Sequence, residues 1–477
     1  MIRLSVGSEM TLMLKGPSFA DELKTALVGD GSATFILLNN FEVETFWKDP
    51  GTAGLPSIPL GSSSIIVNRM EEFGILLVGQ DDFVVLKAPV DETYRRYLRQ
   101  NGFKIPNIVY VERNEPHLNI TENVLACPAT LRRLREIRQQ YDNLYLLCFG
   151  VSRLEEELSR CTGIPLAQPG ADVFQKVNSK IYSRSVNEAA GIRQIPGCNC
   201  STLEELRLAY EKLSGCLLEN KPLMLKDAMG VSGKGIVKID SPDRFLHCYR
   251  LIERDVKRKG NRIQFVLEQM VDKAYDLNYQ FLITRTGEVR FHFVKESLTD
   301  QGVHAGHLIP SRLSADQIDV LRSAAEKIGR QLYRDGYYGV VGIDAILDSD
   351  GTLWPNLEIN ARFNMSTYQA TIQQEWIDES KSALAKHYTL RLKHPIGFEA
   401  ILRELDEFIF TKEKGTGLLV NNFATVNAAW NKPGEPFVGR LYCIIISEKS
   451  ASLDALDGKI RERLSRMECI AHGQGSA

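Results

Sequence analysis

The sequence predicts a mixed α/β protein, and three observations predict it. The first 150 residues alternate runs rich in Val, Ile, Leu and Phe with charged helical stretches, the pattern of strands covered on both faces. From residue 222 onward, apolar runs are joined instead by Gly-rich and Asp-Gly turns, which read as antiparallel hairpins. The chain has 477 residues, 44% hydrophobic and 25% charged. That is an ordinary globular composition and enough chain for roughly three domains.

In the N-terminal layer the expected strands cover 34–41, 64–68, 74–78, 83–87, 107–112 and 144–149, with helices over 91–100 and 129–140. No G-x-G-x-x-G follows the first strand, so the dinucleotide fingerprint is missing. Helix starts are legible further on. Ser152 with Glu155 has capping-box spacing, as do Ser201 with Glu204, Thr202 with Glu205, and Ser314 with Gln317. After Ser314, Ile318, Leu321, Ala325, Ile328 and Leu332 recur at helical spacing until Gly336. The basic run 254–262 reads as a solvated loop between a helix and a strand, without interleaved aromatics for base stacking.

Charge and cysteines narrow the class. Lys+Arg is 58 and Asp+Glu is 60, a formal charge of −2. A partner bound through bulk positive charge, nucleic acid above all, is not expected. The N-terminus reads MIRLSVGSEMTLMLKGP, without a secretory apolar stretch, and no run approaches a membrane span. Nine scattered cysteines fit reduced thiols, and the expected location is the cytoplasm. Cys198-Asn-Cys200 lacks a second pair at zinc spacing and reads as a loop.

Four segments carry chemistry. In the first, an apolar strand ends at Lys226, and Gly230-Val-Ser232-Gly233-Lys234-Gly235 leads into a second strand. Glycines allow close backbone approach to a phosphate, and the lysines supply opposing charge. Ala228 and Gly235 break the P-loop pattern, so a hairpin flap over a triphosphate fits better; an ordinary Gly-rich hairpin has the same composition. The second is Asn178-Ser-Lys180, expected on a helix. The third is a buried-type strand ending in Glu268-Gln269-Met-Val271, where a carboxylate and the following backbone can read a purine edge. The fourth is the most specific. Asp350-Gly351 turns two strands so that Glu358 and Asn360 share a face and Asp344 can join them from the partner strand. Such hard oxygen ligands suit Mg²⁺ held between protein and nucleotide phosphates. Pro355 interrupts the second strand, so an ideal register is not expected.

In that order and spacing, these residues resemble the ATP-grasp fold over about 172–390. The resemblance implies ATP and Mg²⁺ as cofactors, two ions, with Mn²⁺ as an alternative. It implies nucleotide binding by Lys180, Lys226, Gly230, Ser232, Gly233, Lys234, Gly235, Glu268, Gln269 and Val271, and metal binding by Asp344, Glu358 and Asn360. It also implies charge stabilisation at an acyl phosphate by Arg362, Lys226 and Lys234. The 230–235 flap and the 300–310 loop are the expected lid, and no residue stands out as a general base. Arg290, Lys295, His304 and His307 lie where such proteins often contact substrate.

The flanks are similar to the pre-ATP-grasp and tail domains of bacterial natural-product ligases, the pheganomycin-type peptide ligases and the butirosin-type amino acid–carrier protein ligases. The expected domains are therefore 1–165 (pre-ATP-grasp), 166–392 (ATP-grasp, with its flap over 222–272 and catalytic part over 273–392) and 393–477 (small C-terminal). The leading expectation is an ADP-forming ligase that activates an amino acid or peptide carboxylate and joins it to an amine. The alternatives are transfer to the thiol of a separate acyl-carrier protein, a non-catalytic ATP-binding regulator, and a phosphotransferase. Neither nucleic acid nor membrane is an expected partner; the sequence leaves the oligomeric state open, a homodimer being one option.

Overall fold

The computed structural model describes residues 17–55, 63–230, 235–260, 262–300, 303–448 and 450–473. Its first layer is a parallel sheet. Strand β1 (Thr34–Leu38) is followed by the two-residue β2 (Thr52–Ala53), which leaves the layer, and then by β3 (Phe83–Leu86), β4 (Asn107–Tyr110) and β5 (Leu144–Cys148). The order is β4-β3-β1-β5, and β1 and β3 are buried at every position, which explains their unbroken apolar runs.

Two expected strands are helical. Residues 64–68 fall in the helix Ser63–Val67, and 74–78 overlap the 3₁₀ helix Met70–Leu76. A short apolar run suits a buried helix as well as a strand, so periodicity could not separate them. Gly74 sits so close to Asn39 that a Cβ there would lie 2.5 Å from its Nδ2. The first strand also stops before 41, where Asn40 N–H turns back to the Leu38 carbonyl.

The capping boxes at Ser152–Glu155 and Ser314–Gln317 are both formed. Of the two readings near 201, Thr202 is the cap, with Glu205 accepting from Ser201 N–H. The layer runs slightly past 165, because Leu166 bridges Leu146 in parallel.

A small antiparallel sheet follows, built from β6 (Gly197–Cys200), β7 (Leu223–Asp227), β8 (Ile236–Ile239) and β10 (Phe265–Gln269), in the order β6-β10-β7-β8; the short β9 (Arg262–Ile263) pairs with β2. Cys198 and Cys200 therefore lie on an edge strand and not in a loop. Leu223, Leu225, Phe265 and Leu267 from the sheet, with Leu206, Phe245 and Ile252 from its helices, form a hydrophobic core separate from the main one. The basic run 254–262 is mostly helix, not loop. The helix Pro242–Lys259 continues through it, with Lys257 paired to Glu253, Lys259 paired to Asp255, and three cations in its last turn, where a helix favours positive charge.

The main sheet has eight antiparallel strands: β11 (Lys273–Ile283), β12 (Val289–Asp300), β13 (Val303–Ile309), β14 (Gly339–Asp348), β15 (Leu353–Asn360), β16 (Ser382–Leu392), β17 (Gly417–Asn422) and β18 (Phe437–Ser447). Their order is β15-β14-β11-β12-β13-β16-β18-β17. The two last strands in sequence thus extend the main sheet, and the expected boundary at 392/393 crosses a continuous structure. The expected loop over 300–310 is largely the β12–β13 hairpin. The helix Ala315–Arg334 packs on the sheet through Leu321, Ala325, Ile328 and Leu332, as the periodicity requires. Among the described residues, no helix is long and apolar enough to cross a membrane.

Candidate active site

The β14–β15 hairpin builds the centre. Its turn, with Gly351 at φ +85°, brings Asp344 opposite Glu358 in register. Past Asp344 the register slips by two residues, so that Ile346 faces Trp354 and the irregularity falls at Pro355. Proline cannot donate to the ladder, which is the physical reason for the slip. Asp344 accepts from Asn278 Nδ2 at 3.0 Å and from Asn360 Nδ2 at 3.1 Å. Burial and the neighbouring Glu358 charge push its carboxyl up to about 6. Two carboxylates held together against their mutual repulsion, beside an amide oxygen, are a donor set that fits a hard divalent cation with sites left for phosphate and water. Among the described residues no cluster of three acidic, His or Cys ligands forms; the third oxygen here belongs to Asn360.

Lys180 arrives from a break between helices, not from a helix interior. Asn178 ends Ala171–Val177, Ser179 caps Lys180–Ala190, and Asn178 Nδ2 donates to the Ala361 carbonyl. The buried Lys180 amine donates to Glu358 Oε1 at 2.8 Å and to the Gly230 carbonyl at 2.5 Å. Lys226, in contrast, pairs with Glu268, whose second oxygen accepts from Arg184 Nη1 at 3.1 Å. A carboxylate has about four acceptor positions, so Glu268 retains capacity for a further donor. The backbone N–H of Gln269 donates to the Pro196 carbonyl, and Val271 follows just beyond the strand. At the base of the flap, Gly235 takes φ +77°, and a Cβ there would come within 3.0 Å of Asp227. Ser232, Gly233 and Lys234 lie outside the described residues.

Arg362 reaches the same cleft. Its Nη2 donates to Asn360 Oδ1 at 3.0 Å, its Nη1 donates to the Phe363 carbonyl at 2.9 Å, and its guanidinium lies over the Phe149 ring. Its Nε pairs with Glu44 at 2.8 Å. Glu44 belongs to the 3₁₀ turn Val43–Trp47 of the N-terminal layer, which Trp47 Nε1 ties to the Val151 carbonyl. Glu44, Trp47, Asn178, Met229, Gly230, Glu358, Asn360 and Arg362 together line a narrow cleft.

Behind the carboxylates runs an ordered polar chain. Buried Lys295 donates to Gln369 Oε1 at 3.0 Å and to the Ser366 carbonyl at 3.1 Å. Gln369 Nε2 then faces His307 Nδ1 at 3.1 Å, and His307 Nε2 faces Ser366 Oγ, also at 3.1 Å. Ser366 Oγ donates to Asn278 Oδ1 at 2.7 Å. Since the Ser366 proton is committed to Asn278, His307 carries its proton on Nε2. Burial holds the Lys295 amine well below the ordinary lysine range. Lys295 and His307 thus sit behind the metal candidates. Arg290 pairs with Glu288 and Glu22, and in register it faces Leu282, which in turn faces Val340, four positions from Asp344. The side chain of His304 lies outside the described residues.

Sequence reasoning missed Arg184, Asn278 and Glu44. Arg184 was legible in principle, one helical turn after Lys180. Asn278 needed the β11–β14 register, and Glu44 needed the packing of two domains.

The geometry agrees with what the chain is similar to. Residues 70–164 match the Pre ATP-grasp domain family. The chain is 24% identical over 418 residues to the [butirosin acyl-carrier protein]–L-glutamate ligase of Niallia circulans, covering 87% of this chain and 92% of that protein. It is 25% identical over 235 residues to the mitochondrial pyruvate carboxylase of Rattus norvegicus, covering 45% of this chain and 18% of that one. Among solved structures, the ADP complex of N5-carboxyaminoimidazole ribonucleotide synthetase superposes with a TM-score of 0.54 at 14% identity, covering 91% of this chain and 98% of that one. A nucleotide complex of Campylobacter jejuni biotin carboxylase gives 0.54 at 12%, covering 92% and 95%. The chain has a pre-ATP-grasp layer followed by the ATP-grasp fold.

Proposed function

We propose that this protein is an ATP-dependent, ADP-forming ligase that activates the carboxylate of an amino acid or peptide and joins it to an amine in natural-product assembly. The observation that carries this is the hydrogen-bonded convergence of Lys180 with Asp344, Glu358, Asn360 and Arg362, which the β14–β15 hairpin and the residues just after it bring from more than 160 positions away. A donor carboxylate oxygen attacks the γ-phosphorus of ATP, ADP departs, and an acyl phosphate forms. The amine then attacks the acyl carbon, giving the amide and releasing inorganic phosphate.

In this reading Asp344, Glu358 and Asn360 hold Mg²⁺, which when bound offsets phosphate charge. Lys180 exchanges its contact with Glu358 for nucleotide phosphate. Lys226 does the same from Glu268, while Arg184 keeps that carboxylate oriented toward the adenine amino group. Arg362 faces the carboxylate being phosphorylated, where fixed positive charge stabilises the transition state without reorganisation. The 230–235 flap closes over the triphosphate and excludes water, which would otherwise hydrolyse the acyl phosphate.

A second reading, transfer to the thiol of a separate acyl-carrier protein, is favoured by the likeness to the butirosin ligase over most of both chains. A hydroxylamine trap tests both. With ATP, MgCl₂ and a panel of amino acids and dipeptides, hydroxamate and ADP are expected together from a cognate acid. ATP binding with no hydroxamate across the panel would defeat the ligase reading. Replacing hydroxylamine with candidate amines or with a phosphopantetheinylated carrier decides the nucleophile.

A further inference from the structure

The charged groups of this cleft are paired with one another. Lys180 pairs with Glu358, Lys226 and Arg184 pair with Glu268, and Arg362 pairs with Glu44. In the ligase reading, Lys180 and Lys226 leave their carboxylates because a nucleotide and its cation supply replacement charges, while Arg184 stays on Glu268. The third pair has no such explanation, since nothing in a nucleotide calls for a carboxylate contributed by the N-terminal layer.

Glu44 is surplus as a support for Arg362. The guanidinium is already oriented by Asn360, by the Phe363 carbonyl and by the Phe149 ring. Among the described residues Arg362 is the only partner of Glu44, and both side chains are largely buried, 10% and 13% exposed, at the edge of the same cleft. A fixed negative charge beside an anion-binding arginine repels a simple carboxylate. It attracts a carboxylate that carries its own cation. An α-amino acid does so with its ammonium and carboxylate on one carbon, a spacing that matches two protein charges in direct contact.

We infer that Glu44 and Arg362 form a receptor for the zwitterionic head of an α-amino acid, with Glu44 taking the ammonium and Arg362 the carboxylate. The inference rests on the ligase reading for the chemistry after binding, and it adds the substrate class and the residue that selects it. The Glu44–Arg362 pair opens on binding and each charge exchanges its partner for one on the ligand. Free amino acids fit the receptor, as does a residue joined to a peptide through its side chain, which keeps both its α-ammonium and its α-carboxylate. N-acylated and des-amino acids leave Glu44 facing Arg362 and meet its repulsion.

The test is calorimetric binding to the full chain, with MgCl₂ and a non-hydrolysable ATP analogue, alongside the hydroxamate assay. The probes are L-glutamate, L-alanine and L-phenylalanine, each beside its des-amino counterpart (glutarate, propionate and 3-phenylpropionate). The expected result is that at least one amino acid binds wild type tenfold or more tighter than its counterpart. Glu44→Gln should then weaken that amino acid by about 10- to 100-fold, the range of a charge-assisted hydrogen bond, and leave the counterpart unchanged or tighter. Glu44→Ala should behave alike, which separates charge from shape. Equal loss for both members of a pair, or a fall in kcat with no change in affinity, would reduce Glu44 to a support and overturn the inference. Binding of none of the probes would overturn it as well. Glu44-dependent binding without hydroxamate would instead sink the ligase reading and leave the receptor standing. Hydroxamate formed equally from acids with and without the amine would do the reverse.

Discussion

Replacing Asp344 by asparagine should change how stability depends on pH, and the size of the effect follows from the site. In the folded chain the Asp344 carboxyl titrates near 6, against an ordinary 3.8, because burial and Glu358 both penalise its charge. The native state therefore holds this proton more tightly than the unfolded chain does. Stability is greatest while Asp344 is protonated and falls as pH rises from 3.8 to 6. A displacement of about two units corresponds to about 3 kcal/mol, and the side chain's water-accessible edge at the cleft lowers the expected figure to about 1–3 kcal/mol. Asp344→Asn removes the titration. It also turns one amide donor, from Asn278 or Asn360, toward an NH₂ group, a cost that does not depend on pH. The assay is urea unfolding followed by tryptophan fluorescence, in chelator, from pH 4.5 to 8. Subtracting the variant from wild type at each pH cancels the titrating groups that do not interact with Asp344; Glu358, which does, contributes to the same difference. The difference should move against wild type by about 1–2 kcal/mol across that range, most of it below pH 6.5. Parallel curves would refute the argument that Asp344 is held in a costly ionised state awaiting a cation.

The other predictions concern the same cleft. Glu358→Gln should abolish hydroxamate formation while circular dichroism and the urea midpoint stay close to wild type, because glutamine can still accept from Lys180; near-normal turnover would remove Glu358 from the metal set. Ser366→Ala should destabilise by about 2–4 kcal/mol, since it strands the buried His307 Nε2–H and the Asn278 oxygen together; an unfolding free energy within about 0.5 kcal/mol of wild type, the size of an ordinary surface change, would show the polar chain to be dispensable.

The legible parts of the site share one property: their geometry is local. Glu358 and Asn360 share a strand face by period two, and Asp350-Gly351 makes the turn that folds Asp344 back toward them. The separation of Lys226 and Glu268 in sequence hid a direct contact, made by the β7–β10 pairing of Lys226 with Val266, which lies two residues before Glu268 on the same strand face. Two short segments, 64–68 and the fully buried 74–78, read as strands but fold largely as helices, because a run of only three to five apolar residues is too short to carry a period. The helix through 254–259 escaped the sequence reading because its cations suggested solvent, although pairs four apart make that surface a stable helix face.

By itself the chain determined the alternating first layer, the hairpin that carries Asp344 and Glu358, the helix caps at Ser152 and Ser314, and the set of residue types suited to a magnesium-bound nucleotide. These arise from backbone stereochemistry and hydrophobic burial acting over a few neighbouring residues. Only the tertiary structure decided that the C-terminal strands complete the eight-stranded sheet, that Lys295 and His307 stand behind Asp344, and that Glu44 meets Arg362 from 318 positions away (362 − 44). Such contacts depend on how whole layers pack, and no short-range pattern of polarity encodes which distant charge a buried side chain will face.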